Sequence, residues 1–150
     1  MRIGQTEVDV EQALIQTLFA EGADDLAFAP IVAAADNSAR PHAHVRSSYR
    51  ITSGDALLID FGARKNGFVS DITRTFFVGE PTDEARAVYD IVLRANLAGF
   101  EACRPGVSAH DIDDAVTGVL EASLYGGRIR TKTGHGLGRD VHEAPYILRG

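Results

Sequence analysis

The segment Ala56–Val78, ALLIDFGARKNGFVSDITRTFFV, constrains the fold more than any other stretch of the chain. It reads as two apolar strands joined at Asn66-Gly67, a pair that tolerates positive φ at both positions and favours a two-residue hairpin turn. With that turn Lys65 faces Phe68, and counting back sets Asp60 opposite Thr73. Asp71 lies two residues from Thr73 and shares its face. Asp60 and Asp71 are then diagonal neighbours, with backbones roughly 7–8 Å apart. A single aspartate in an apolar run is usually a bulge, a strand end or an acceptor for a nearby N–H. Two in register on one face are different, because neighbouring carboxylates repel unless a proton or a cation lies between them. A buried charge is also costly unless it is paired or metal-bound. The simplest partner for this pair is a metal ion.

The chain has 150 residues, enough for one domain, or part of one, with a real core. A net charge of −6 with no basic face argues against general nucleic-acid binding. No apolar run approaches about 20 residues, so no membrane span is expected. The N-terminus has neither the basic nor the apolar region of a signal peptide, and a cytoplasmic protein is the expectation. The one cysteine, Cys103, falls on the apolar side of a predicted helix and reads as a small core residue.

Taken in order, Thr6 with Asp9 opens a helix whose stripe is Val10, Leu14 and Leu18, closed at Gly22. Leu26 to Ala35 is apolar and interrupted by Pro30, a strand or strand pair. Asp36 to Arg50 is a polar loop holding Pro41, His42 and His44. Gly79-Glu80-Pro81-Thr82 ends the hairpin and caps a second helix running to about Cys103, its buried side marked by Val88, Ile91, Val92, Ala95 and Ala102. Ser108 with Asp111 opens a third helix carrying Ile112, Val116, Val119 and Leu120. Ile129 to Gly138 is strand and turn, and Val141 to Leu148 closes the chain. This order predicts an α+β domain with helices on one face of a largely antiparallel sheet.

There are five histidines. His110 sits at a helix start, suited to capping or solvent. His42 and His44 flank Ala43 in the loop, and His135 lies between glycines in TGHGLG, where the backbone can turn sharply and a ligand approach closely. His142 precedes Glu143-Ala144-Pro145. This is no zinc-binding His-Glu-x-x-His helix, since the second histidine is missing and Pro145 would break it. Singly each histidine reads as structural. With the aspartate pair they make a site for Mn²⁺, Co²⁺, Zn²⁺ or Fe²⁺. Two bridging carboxylates suit a two-metal centre that activates water and clamps the oxygens of a tetrahedral intermediate.

Four motifs in one order, IDFG with Asp60, SDITRTF with Asp71, TGHGLG with His135 and DVHEAP with His142, resemble the metallopeptidases of the pita-bread fold. That group holds methionine aminopeptidase, aminopeptidase P and prolidase. DVHEAP and NSARPH are closer to the Xaa-Pro-cleaving members, and the resemblance runs from about Thr6 to Ile147. It implies that Asp60 chelates one of two divalent ions, Mn²⁺ or Co²⁺ foremost, that Asp71 bridges both and that His135 ligates the second. It implies that His142 donates a hydrogen bond to the substrate carbonyl and that His42 contacts substrate, with His44 a candidate for the same role because the spacing from His42 to Asp60 is one residue longer than the family's usual pattern. Thr73 would hydrogen-bond Asp60 from behind.

Two departures stand out. The family's last two ligands are glutamates downstream of the HEAP motif, and no glutamate of this chain falls in that context. Thr131 stands where many Xaa-Pro-type members carry histidine. Residues 1–150 are therefore expected to be part of a catalytic domain, with the fold incomplete at both ends. The implied substrate is a peptide or dipeptide with proline second, and the implied assembly is a homodimer. The alternatives are a methionine aminopeptidase, a metal-free hydrolase resembling creatinase, and an inactive peptide-binding homologue. Retention of Asp60, Asp71 and His135 weighs against the last two.

Overall fold

The computed structural model describes residues 2–148. The chain divides into two compact units, Met1–Thr82 with Leu137–Val141, and Asp83–Gly136 with His142–Gly150.

In the first unit, α1 (Glu7–Ala20) opens on the expected capping box. The Asp9 N–H donates to Thr6 Oγ1 at 3.1 Å, and the Thr6 N–H donates to Asp9 Oδ2 at 2.8 Å. There follow β1 (Asp25–Leu26), β2 (Ile31–Ala34), a 3₁₀ helix (Ala35–Ala39), β3 (Ala56–Phe61), β4 (Ala63–Lys65), β5 (Phe68–Val69) and β6 (Ile72–Phe77). Strands β2, β3 and β6 form one antiparallel sheet, and β1, β4 and β5 another. Val10 of α1 packs with Val32, Ala34, Ile51, Leu57 and Val78 as the core of this unit.

Asn66 and Gly67 make the hairpin turn, at φ 51° and 80°. The register is the expected one, with Lys65 opposite Phe68 and Asp60 opposite Thr73. The hairpin is not one ribbon, however. It breaks at Gly62 on one side and at Ser70-Asp71 on the other, and the two halves join different sheets. The cause is local: a Cβ on residue 62 would lie 1.9 Å from the Ser70 carbonyl oxygen and 2.9 Å from Ala27 Cβ. Only glycine lets the backbones approach this closely. Gly62→Ala is expected to cost about 3 kcal/mol or more, the upper end for overpacking, read from the urea midpoint at unchanged m-value.

The segment Leu137–Val141 belongs to the first unit. The Val69 N–H donates to Gly138 O at 2.8 Å, and the Arg139 guanidinium covers the Phe68 ring at 5.5 Å.

The second unit holds α2 (Asp83–Ala102), α3 (Ala109–Glu121), a 3₁₀ turn (Gly126–Arg128), β7 (Gly134–Gly136) and β8 (Glu143–Ile147). Ser108 and Asp111 form the second capping box. Several expectations are corrected here. The α2 stripe is mostly open: Ala95 is buried, but Val92 is 54% exposed. With Ile112 and Val116 of α3 and Ile147 of β8, it lines an apolar cleft of about 850 Å³. Cys103 is exposed beside that cleft and is not a core residue. Helical periodicity says which residues share a side, not whether that side is covered. The residues α3 does bury are Asp113 and Thr117. Thr133 Oγ1 donates to Asp113 Oδ1 at 2.5 Å. Of the expected strand from Ile129 to Gly138, only β7 forms. The strands belong to three small antiparallel sheets, not to one sheet with helices on a single face.

Candidate metal centre

Asp60 sits on β3 opposite Thr73 of β6. Its Oδ1 is buried and has no hydrogen-bond partner among the described residues. Burial pushes the Asp60 carboxyl above its ordinary range. A hydrogen bond from Thr73 opposes this, the adjacent Asp71 carboxylate pushes it further up, and His42 draws it down. The two carboxylates therefore converge, as the register implies, and the Thr73 side chain hydrogen-bonds Asp60. Asp71 differs in setting: it lies in the break between β5 and β6 rather than on a strand. The pivot at Gly62 thus has one carboxylate on each side of it.

His42 is exposed and takes φ 55°, the left-handed region that residues other than glycine seldom occupy. Such backbone persists only when its surroundings hold it, and it clusters at functional sites. His44 is exposed too, and its carbonyl accepts from Asn37 Nδ2 at 3.0 Å.

In the second unit, His135 on β7 and His142 just before β8 lie together, their ring centroids 4.3 Å apart and tilted by 55°. His135 Nδ1 is 3.1 Å from Gly136 O. A carbonyl only accepts, so Nδ1 is the donor in this contact, and Nε2 is the nitrogen that a neutral imidazole in this orientation would offer to a metal. Gly136 lets β8 approach closely, since a Cβ there would lie 2.6 Å from Ala144 O. His110, expected near solvent, is half exposed, with Nε2 3.5 Å from Asp114 Oδ2.

Among the described residues, no group of three His, Cys, Asp or Glu side chains is placed to hold an ion. The chemistry of the donors present nevertheless fits one. A buried carboxylate oxygen without a donor, beside a second carboxylate, is satisfied by a cation. Oxygen and imidazole donors together suit a divalent ion of the Mn²⁺-to-Zn²⁺ series.

Sequence reasoning passed over Glu7, Asn37 and Arg46. Glu7 is wholly buried. Its carboxylate accepts from the Ala34 N–H at 2.7 Å, Asn37 Nδ2 at 3.0 Å, the Arg46 N–H at 2.7 Å and Arg46 Nη2 at 2.9 Å. These partners lie 27 to 39 residues away, so no local signal marks them.

The first unit thus carries two converging carboxylates on its hairpin, and the second carries a pair of neighbouring histidines. The chain belongs to metallopeptidase family M24, whose model matches residues 1–150, and it has the pita-bread fold. It is 38% identical over 144 residues to an Xaa-Pro dipeptidase of Pyrococcus furiosus, covering 96% of this chain and 41% of that protein. It is 39% identical over 148 residues to a probable dipeptidase PepE of Mycobacterium tuberculosis, covering 98% and 39%. A prolidase structure from Thermococcus sibiricus superposes with a TM-score of 0.94 at 40% identity, covering 99% of this chain and 40% of that one. The chain thus spans about two fifths of the length of the relatives it matches. No helix among the described residues is long and apolar enough to cross a membrane.

Proposed function

We propose that this chain supplies part of the catalytic domain of a metal-dependent exopeptidase that hydrolyses the Xaa-Pro bond of a peptide or dipeptide. The observation that carries the reading is the orphaned Asp60 oxygen beside Asp71. Asp60, Asp71 and the Nε2 of His135 would hold two divalent ions, Mn²⁺ or Co²⁺ foremost, whose chemistry when bound is to acidify water and polarise the scissile carbonyl. Thr73 holds the Asp60 carboxylate in place. His142, its ring beside and tilted to that of His135, donates a hydrogen bond to the carbonyl oxygen as charge develops there. His42 contacts the substrate from its loop, with His44 on the same loop as a second contact. The names of the matched relatives, Xaa-Pro dipeptidase and prolidase, support proline at the second position. A cytoplasmic homodimer completes the reading.

The test compares Mn²⁺-loaded full-length protein on Ala-Pro and on Met-Ala-Ser. Turnover of Ala-Pro at least about ten times faster in kcat/KM, a difference of 1.4 kcal/mol in transition-state binding, is expected. Fast methionine release with no Ala-Pro turnover would overturn the assignment in favour of a methionine aminopeptidase. Calorimetric titration with Mn²⁺, beside an Asp60→Ala/Asp71→Ala control, counts the ions.

A further inference from the structure

The buried Glu7 carboxylate does something the catalytic reading does not use. It gathers donors from both ends of one loop: the Ala34 N–H before the 3₁₀ helix, and the Arg46 N–H and guanidinium after it. Arg46 adds a second tie across the loop, from Nη2 to Ala34 O at 2.8 Å, and a third from Nη1 to Asp36 Oδ1 at 2.9 Å. Asn37 bridges Glu7 Oε2 and the His44 carbonyl. The Arg46 guanidinium also lies over the Tyr49 ring at 4.6 Å. The segment so enclosed carries His42 in its left-handed conformation. Backbone of this kind stays put only where several contacts over-determine it.

We infer that Glu7 and Arg46 are positioning residues: their ion pair closes the 34–46 loop and so holds His42 in place at the Asp60 side of the site. Neither residue touches substrate, and both act through His42. The inference rests on the function proposed above.

The test is a double-mutant cycle in the Mn²⁺-loaded full-length protein with Ala-Pro as substrate. Glu7→Gln, which keeps the shape and removes the charge, is expected to lower kcat by about 10–100-fold, the range that supporting partners of site residues command. The stoichiometry of Mn²⁺ binding by calorimetry should not change. In a His42→Ala background the same substitution is expected to cost less than about twofold. An equal loss in both backgrounds, or no loss in either, would overturn the inference while leaving the function intact. Absence of Ala-Pro turnover by the wild type would overturn the function, and this inference with it.

A second readout is independent of turnover. Amide exchange in the metal-free Glu7→Gln protein should accelerate across residues 35–46 and stay slow in β3 and β6. Unchanged protection of the loop contradicts the clasp. If exchange shows that Glu7→Gln unfolds globally, Arg46→Lys is measured in its place. It keeps the charge and the backbone donor but loses the fork of guanidinium bonds, and the same outcomes decide.

Discussion

Asp60→Asn is expected to shift stability and activity in opposite directions. In the metal-free protein it should raise Tm, because it removes a charge that burial and Asp71 both disfavour. The sign follows from the raised carboxyl. Below its unfolded value near 3.8 the wild type carries no penalty, and the penalty grows as pH rises through the folded value. The gap in Tm between variant and wild type should therefore open with rising pH and close in acid. Mn²⁺ reverses the order. At 100 times its Kd, an ion that binds only the folded wild type adds about 2.7 kcal/mol, and the variant should gain little of this. Removal of a metal ligand should cost more than the loss of its supporting partner, so Ala-Pro turnover should fall by more than about 100-fold. Thermal melts with and without Mn²⁺ from pH 4 to 8, beside kcat/KM, give all three readings. A variant less stable than wild type in the absence of metal would show that the buried Asp60 Oδ1 has a protein partner after all. Near-normal turnover would remove Asp60 from the ligand set, and Asp71→Asn tests the bridging carboxylate in the same way.

Glu7→Ala should be the most destabilising substitution in the first unit. It strands the Ala34 and Arg46 N–H groups, removes one of the two acceptors of the Asn37 amide, and leaves the Arg46 guanidinium without its buried carboxylate partner. Breaking a buried pair by removing one partner costs about 3–5 kcal/mol. Set against the 5–15 kcal/mol that holds a typical domain together, this is about a fifth of the total at the least. The Glu7–Arg46 hydrogen bond is also the first cause that holds the Arg46 guanidinium above its usual range. Urea denaturation followed by circular dichroism checks the value. A loss below about 1 kcal/mol would mean that water replaces the carboxylate at little cost, and the loop would then need another anchor.

These two carboxylates differ in how far the sequence reveals them. Asp60 interrupts an apolar strand, an anomaly visible at a glance, and Asn66-Gly67 fixes its register against Thr73 by local turn geometry alone. Glu7 sits in the first turn of a helix, where an acid is commonplace. Its burial depends on Ala34, Asn37 and Arg46, which no local rule connects to it. The same division separates Ser108-Asp111, a cap legible from four residues, from the Asp113–Thr133 contact, which joins a helix to a segment 20 residues on.

The amino-acid sequence by itself determined the helix starts, the hairpin turn and the pairing of Asp60 with Thr73. All of these follow from interactions between residues a few positions apart, or from strict alternation along a strand. Only the tertiary structure decided that the hairpin divides at Gly62 between two sheets, that the α2 stripe lines an open cleft, and that the His42 loop closes on Glu7. Each of those depends on which surfaces meet. That is settled by burial and by the pairing of buried polar groups across the whole fold, not by propensities read within a window.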